Sequence, residues 1–255
     1  MKIIHSIKLS LNMLSFIEFM MFKYMVKSLI ECIIVSRINR FVVNVKIDRK
    51  ITQARITNTG RLYDLLIPGN KGYCIEGGMK TRYKLIGINV GLKNRVALID
   101  TRLQEDVFYN AAQRKYFIWL NPYRIVKRYP KINNSRLDFQ IKFNDKIGFI
   151  EMKSAVLLFD KFYGGYPDCP SIRGRRHILD IIRLHEKSYR CILLFSVAHP
   201  LARIFKPYSK GDPVIADLIE EAFKRGVEIY AFKPILRIDE KSIVVEDEDI
   251  PIVFR

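Results

Sequence analysis

Acidic residues are scarce in this chain. Against 44 Lys and Arg stand 26 Asp and Glu, a formal charge of +18 with a pI near 9.8. Such an excess directs the search for a partner to polyanions, either nucleic acid or an anionic membrane. Cysteines are few and unclustered: Cys32, Cys74, Cys169 and Cys191 show no C-x-x-C spacing, which argues against zinc ribbons, zinc fingers and thioredoxin-like redox sites. Buried free thiols in a reducing cytosol are expected, and with them a cytoplasmic location. A hyperthermophilic source, which the abundance of Ile, Lys and Arg fits, would permit a disulfide.

Long apolar runs are missing too. The stretch LSLNMLSFIEFMMFKYMVKSLIECIIV (9–35) is interrupted by Glu18, Lys23, Lys27 and Glu31. Its clean runs fall short of the roughly 20 residues that span a bilayer, and no small-residue cleavage site follows a compact apolar region. No stable membrane insertion is expected. The stretch reads as a packing or interfacial helix, or as a start placed too early, with Met13, Met20, Met21 and Met25 as later starts. Residues 1–25 are therefore set apart as an N-terminal extension. Internal repeats and low-complexity tracts are absent as well.

What is present is enough for a substantial core: 255 residues, 49% of them hydrophobic, make one large or two ordinary domains. RFVVNVKID, TQARIT, GYCIEGG, TRYKLIGINV and NRVALID are short alternating strands separated by Gly, Asn and Asp, which suggests a small β-barrel or sandwich. Near Asp100 the texture changes to strands mixed with helices, the order of a mixed α/β domain. The division adopted is 26–105 and 106–255. In the second part a helix follows Ser171 as N-cap, with Ile178, Ile181, Ile182 and Leu184 as its apolar stripe. Another starts at Pro213 and ends at Gly226.

The segment NNSRLDFQIKFNDKIGFIEMKS (133–154) reads as a hairpin turning at Asn144-Asp145, residues that tolerate the left-handed conformation tight turns need. A turn centred between them sets Phe143 opposite Lys146, Asp138 opposite Glu151 and Arg136 opposite Lys153. Directly opposed carboxylates repel, so the pair needs a proton, a cation or a basic neighbour. A divalent metal would meet that need. Lys153, two residues from Glu151, reaches the same space. The plainer alternative is a set of charged side chains on a solvated hairpin face.

Two further stretches carry cations. Arg173, Arg175, Arg176, His177, Asp180 and Arg183 crowd the polar face of the helix after Ser171, a phosphate-contacting surface or a solvated basic face. YFIWLNPYRIVKRYPK (116–131) interleaves aromatics with Arg124, Lys127, Arg128 and Lys131, which suits base stacking beside phosphates, or core packing.

RINRF (37–41), NTGRLYDLLIPG (58–69), SRLDF (135–139), EMKSAVL (151–157), YPDCPSIRGRRHI (166–178) and GVEIYAF (226–232) together resemble the successive signature blocks of the sugar fermentation stimulation protein family, SfsA. The resemblance runs from about Lys27 to about Lys241. It implies an α+β fold: an N-terminal OB-fold-like β-barrel followed by a PD-(D/E)xK nuclease-like α/β domain, with DNA binding as the activity. The superfamily's signature falls on Asp138, Glu151 and Lys153, with Asp138 and Glu151 as ligands of Mg²⁺ or Mn²⁺, helped by the Met152 carbonyl. Arg136, Arg173 and His177 would form the rim. An OB-type nucleic-acid face would draw on Arg37, Arg40, Asn58, Thr59, Arg61, Lys80 and Arg82, and the helix would add Arg173, Arg175 and Arg176. One departure stands out: where related sequences usually carry a glutamate, six residues before the Ser of SRLDF, this chain has Tyr129. Three readings follow: a DNA-binding protein, which the family's name would make a regulator of sugar metabolism; a Mg²⁺-dependent endonuclease; and an RNA-processing protein. Duplex or single-stranded DNA is the expected partner, and homo-oligomerisation stays open.

Overall fold

The computed structural model describes residues 21–77, 81–132 and 135–254. The strands are β1 (Lys23–Met25), β2 (Ile30–Asn39), β3 (Val42–Ile47), β4 (Lys50–Arg55), β5 (Lys71–Glu76), β6 (Tyr83–Asn89) and β7 (Arg95–Leu98). Helix α1 (Thr101–Gln113) follows, then β8 (Arg124–Arg128), β9 (Lys131–Ile132), β10 (Ser135–Arg136), β11 (Phe139–Phe143), β12 (Lys146–Ser154), β13 (Leu157–Phe159) and β14 (Tyr163–Tyr166). The chain closes with α2 (Ile172–Glu186), β15 (Arg190–Ser196), β16 (Ile204–Pro207), α3 (Pro213–Lys224), β17 (Glu228–Arg237) and β18 (Ser242–Asp247).

Strands β2 to β6 form the barrel. Antiparallel pairs link β4 to β3, β3 to β2, β2 to β5 and β5 to β6, and a parallel contact of Ala54 with Tyr83 and Arg55 with Lys84 closes the ring. This is the five-stranded OB arrangement, in which closure removes the open edges of a small sheet. Two expectations about the N-terminal stretch need correction. Residues 30–35 belong to β2, not to a helix, because Cys32 and Ile34 alternate with Ile33 and Val35 and so suit a half-buried strand. Residues 23–25, assigned to the extension, pair with β18, and Phe22 and Val26 are buried beside them. Met13 and Met20 lie outside the described residues. Among the described residues no helix is long and apolar enough to cross a membrane.

A single strand joins barrel to second half. The first part of β17 pairs in parallel with β15, and its second part pairs antiparallel with β7 and β18, so the path from the barrel continues through β17, β15, β12 and β11 to β8. Phe149, Leu193, Phe195 and Ala231 pack on one side of this sheet with α2 and α3. Phe139, Ile150, Ile192, Leu194 and Phe232 pack on the other with α1 and the barrel core. The helix starts follow the sequence reading. Ser171 Oγ accepts from Gly174 N at 3.0 Å, Asp212 caps α3 through Val214 N and Ile215 N, and Gly226 takes φ of 92° just past its end. Part of the aromatic stretch 116–131 packs into the core: Phe117 is buried against Phe108 and Phe232, and Trp119 stacks on Tyr230 at 4.2 Å. Tyr129 at the far end of the stretch is half-buried and faces the cleft, and Arg124 and Lys127 are exposed.

Polar contacts fix the barrel to the second half. Buried Asp100 caps α1 through Leu103 N, pairs with Lys84 at 3.2 Å and accepts from Thr57 Oγ1. The NTGRL turn docks on the end of β12 and on the YPDCP loop: Asn58 Nδ2 donates to Ser154 Oγ at 3.3 Å, and Leu62 N donates to Asp168 Oδ2 at 2.9 Å. A Cβ at Gly60 would lie 2.5 Å from both Asp168 carboxylate oxygens. Gly60→Ala should therefore destabilise the protein by about 1–3 kcal/mol, as other overpacking substitutions do. Thermal melts of this variant unchanged from wild type would show that the docking adjusts freely.

Candidate metal centre in the interdomain cleft

The hairpin register is as the sequence predicts as far as the strands run. Phe143 opposes Lys146, Phe139 opposes Ile150, and Asn144 takes a left-handed φ of 50°. Asp138 lies one residue before β11, and its Oδ2 accepts from Met152 N at 2.7 Å, which holds it beside Glu151. The register breaks there. Arg136 belongs to β10 and pairs with Lys131, not Lys153, because the chain turns away into a separate two-stranded ribbon.

Glu151 and Lys153 share the face of β12 that looks toward α2. Lys153 Nζ donates to Glu151 Oε1 at 2.5 Å. His177 from α2 also contacts Oε1 through Nδ1, and Arg173 Nε donates to His177 Nε2 at 3.4 Å. With a donor at Nε2 and a carboxylate at Nδ1, the imidazole carries its proton on Nδ1. His177 is thus a positioning residue. Oε1 is saturated, whereas Oε2 is buried with no hydrogen-bond partner.

The two carboxylates differ electrostatically. Burial and then the charge of Glu151 raise the Asp138 carboxyl well above the usual aspartate range, only partly countered by Lys153. For Glu151 burial acts the same way, but Lys153 and His177 outweigh it and its pKa falls below the usual glutamate value. Burial opposes the Lys153 ammonium, yet Glu151, Tyr166 and Asp138 prevail and its pKa rises. The two carboxyls are thus driven in opposite directions, Glu151 toward its ionised form by Lys153 and His177 and Asp138 toward its protonated form by burial and the charge of Glu151.

These groups line a cavity of about 610 Å³ between barrel and second half, walled by Phe41, Thr57–Thr59, Arg102, Arg136, Arg173 and His177. Sequence reasoning missed Glu105 here. It reaches the cavity from α1, its Oε2 accepts from Tyr129 at 2.6 Å, and burial raises its pKa despite Tyr129, Arg102 and Arg128. Glu105 thus brings a carboxylate to the cavity wall beside Tyr129. The only signal was Tyr129 itself, since the partner lies 24 residues away on another element.

The donor set fits a hard divalent cation. The orphaned Glu151 Oε2 and the reluctantly ionised Asp138 are the two oxygens such an ion would satisfy. Among the described residues no cluster of three or more His, Cys, Asp and Glu side chains is placed to hold a metal. Two carboxylates with remaining positions for phosphate oxygens and water is the composition Mg²⁺ accepts.

The other basic residues divide. Arg173 lines the cavity, and Arg176 is exposed on α2. Arg175 is bound to Asp212 by two hydrogen bonds, of 3.0 and 2.9 Å, and serves the start of α3 instead. Arg37 likewise departs from its expected role: it donates to the carbonyls of Asn39, Arg40 and Arg61 and braces a turn. Asn58 and Thr59 line the cavity. Arg40 lies over Phe41, Arg61 over Tyr63, and Arg82 pairs with Glu76. Lys80 lies outside the described residues. The four cysteines are free thiols, three of them buried and Cys169 half-buried.

The chain matches the SfsA N-terminal OB domain over residues 35–99 and the sugar fermentation stimulation protein RE domain over residues 102–240. It is 45% identical over 207 residues to a sugar fermentation stimulation protein homolog of Pyrococcus furiosus, covering 81% of this chain and 89% of that one. A homolog from Archaeoglobus fulgidus is 36% identical over 77% of this chain and 85% of its own length. The solved structure of Pyrococcus furiosus SfsA in complex with Ca²⁺ superposes with a TM-score of 0.85 at 42% identity, covering 90% of this chain and 98% of that one. Barrel and second half thus agree with one set of relatives along most of the sequence, and the chain belongs to the sugar fermentation stimulation protein family.

Proposed function

We propose that this protein binds DNA along the cleft and that Asp138, Glu151 and Lys153 form a divalent-cation-dependent centre for phosphodiester hydrolysis at its floor. The observation that carries the reading is the buried, unpartnered Glu151 Oε2 beside a buried ammonium and a second carboxyl. The Ca²⁺ complex of the Pyrococcus furiosus relative supports it, because Ca²⁺ and Mg²⁺ both take oxygen ligands. When bound, such an ion polarises the phosphodiester and lowers the pKa of a water.

The protein's own groups do the rest. Lys153 stays charged, so it serves as a fixed positive charge for a phosphoryl oxygen and not as a base. His177 holds Glu151 in place, and Arg136 and Arg173 at the walls suit neighbouring phosphates.

Labelled single- and double-stranded DNA incubated with the protein and Mg²⁺ or Mn²⁺ should be cut, and left whole in EDTA. Binding should weaken with salt, log K falling by about 0.9 per phosphate neutralised per unit of log salt. Arg173→Glu should weaken it on all sequences alike. Binding without cleavage under either metal would reduce the protein to a DNA binder. Absence of binding at low salt would overturn the reading entirely.

A further inference from the structure

One side chain in the cleft serves neither metal nor phosphate. Phe41 sits at the turn between β2 and β3, is 49% exposed and lines the cavity that holds Asp138, Glu151 and Lys153. Ile56 and Met152 of that lining are buried, and its two tyrosines, Tyr129 and Tyr166, are only half-buried, with the Tyr129 hydroxyl bound to Glu105. The turn that carries Phe41 is braced. Phe41 N donates to Asn39 Oδ1 at 2.8 Å, Phe41 O accepts from Ile56 N at 2.8 Å, and Arg37 bonds three carbonyls of this turn and of the NTGRL segment. Arg40 places its guanidinium 4.8 Å from the ring centroid. A rigid mount for an exposed ring, with a cation against it, is the design of a stacking platform, which needs a flat π-face beside positive charge.

Resting on the proposed function, we infer that Phe41 stacks on a nucleobase next to the phosphate held at the metal centre, so that the cleft selects single-stranded DNA. In a duplex the bases are stacked on one another, and presenting one to Phe41 costs the unstacking of the helix. A single strand presents its bases without that cost.

The test is binding in EDTA, by fluorescence anisotropy, of three labelled DNAs carrying the same number of phosphates per strand: a mixed-sequence 12-mer, its duplex and an abasic 12-mer. Wild type should favour the single strand over both others. Phe41→Ala should lose about tenfold on the base-containing single strand, the order of one base–aromatic stack, and little on duplex or abasic DNA. Phe41→Trp should retain affinity, and its added fluorescence should be quenched by the base-containing strand alone. Equal binding of base-containing and abasic strands by wild type, or an unaltered Phe41→Ala, would overturn the stacking while leaving DNA binding intact. Failure of wild type to bind any of the three would overturn both readings.

Discussion

Asp138→Asn should raise the melting temperature of the metal-free protein near neutral pH and abolish its stabilisation by Mg²⁺ or Mn²⁺. Burial and Glu151 hold the Asp138 carboxyl above its unfolded value, so the native state binds a proton that the unfolded chain has released. Stability from this group is complete below the ordinary aspartate pKa and is lost as pH rises through the raised one. Asn removes the ionisation and keeps an oxygen for Met152 N, so the gain is on the order of 1 kcal/mol, about 2–4 °C for a chain of this length. Glu151 has the opposite sign. Its contribution is present above the ordinary glutamate pKa and is lost as pH falls through the depressed one, so the comparison belongs above about pH 5. A cation bound only by the folded state stabilises wild type by RT ln(1 + [L]/Kd) and must displace the Asp138 proton, so its affinity should climb with pH. Melts of both proteins from pH 5 to 8, with EDTA or millimolar metal, decide the matter. A wild-type melting temperature indifferent to metal at every pH would remove the carboxylate pair from any role as a cation site.

Lys153→Met should cost far more in the absence of metal. The ammonium and Glu151 form a buried pair, with 11% and 2% of their side chains exposed, and removing one partner of such a pair costs about 3–5 kcal/mol. Glu151 keeps His177 but loses the strongest influence that holds its pKa down, so it competes for a proton with Asp138. Two less neutralised carboxylates then attract a cation more strongly. Metal should accordingly raise the melting temperature of Lys153→Met by more than it raises that of wild type, although cleavage should fall by about 10²–10³, as when one preorganised transition-state donor is removed. A variant whose metal-induced shift were smaller than wild type's would show that Lys153 helps to build the cation site.

The sequence alone carried local periodicity and local chemistry. The strands of the barrel from Arg40 onward, the turn at Asn144, the caps at Ser171 and Asp212 and the Phe143 to Lys146 register are each decided by residues within a few positions of one another, and each was legible. The juxtaposition of Asp138, Glu151 and Lys153 was legible for the same reason, since the hairpin makes Asp138 and Glu151 neighbours through one turn. Its rim was less so. Arg136 departs from the hairpin into a ribbon with Lys131, and Arg37 and Arg175 carry charges whose destinations, three carbonyls and Asp212, lie on separate elements.

What only the tertiary structure decided is where barrel and second half meet. The union of β7 with β17, the docking of Leu62 on Asp168 and the arrival of Glu105 and Phe41 in one cavity all join residues distant in sequence. Periodicity tells which face of a strand is buried but not what covers it. A formal charge of +18 therefore directed attention to polyanions, whereas the cleft itself was set by packing two halves around a shared strand, which no local pattern records.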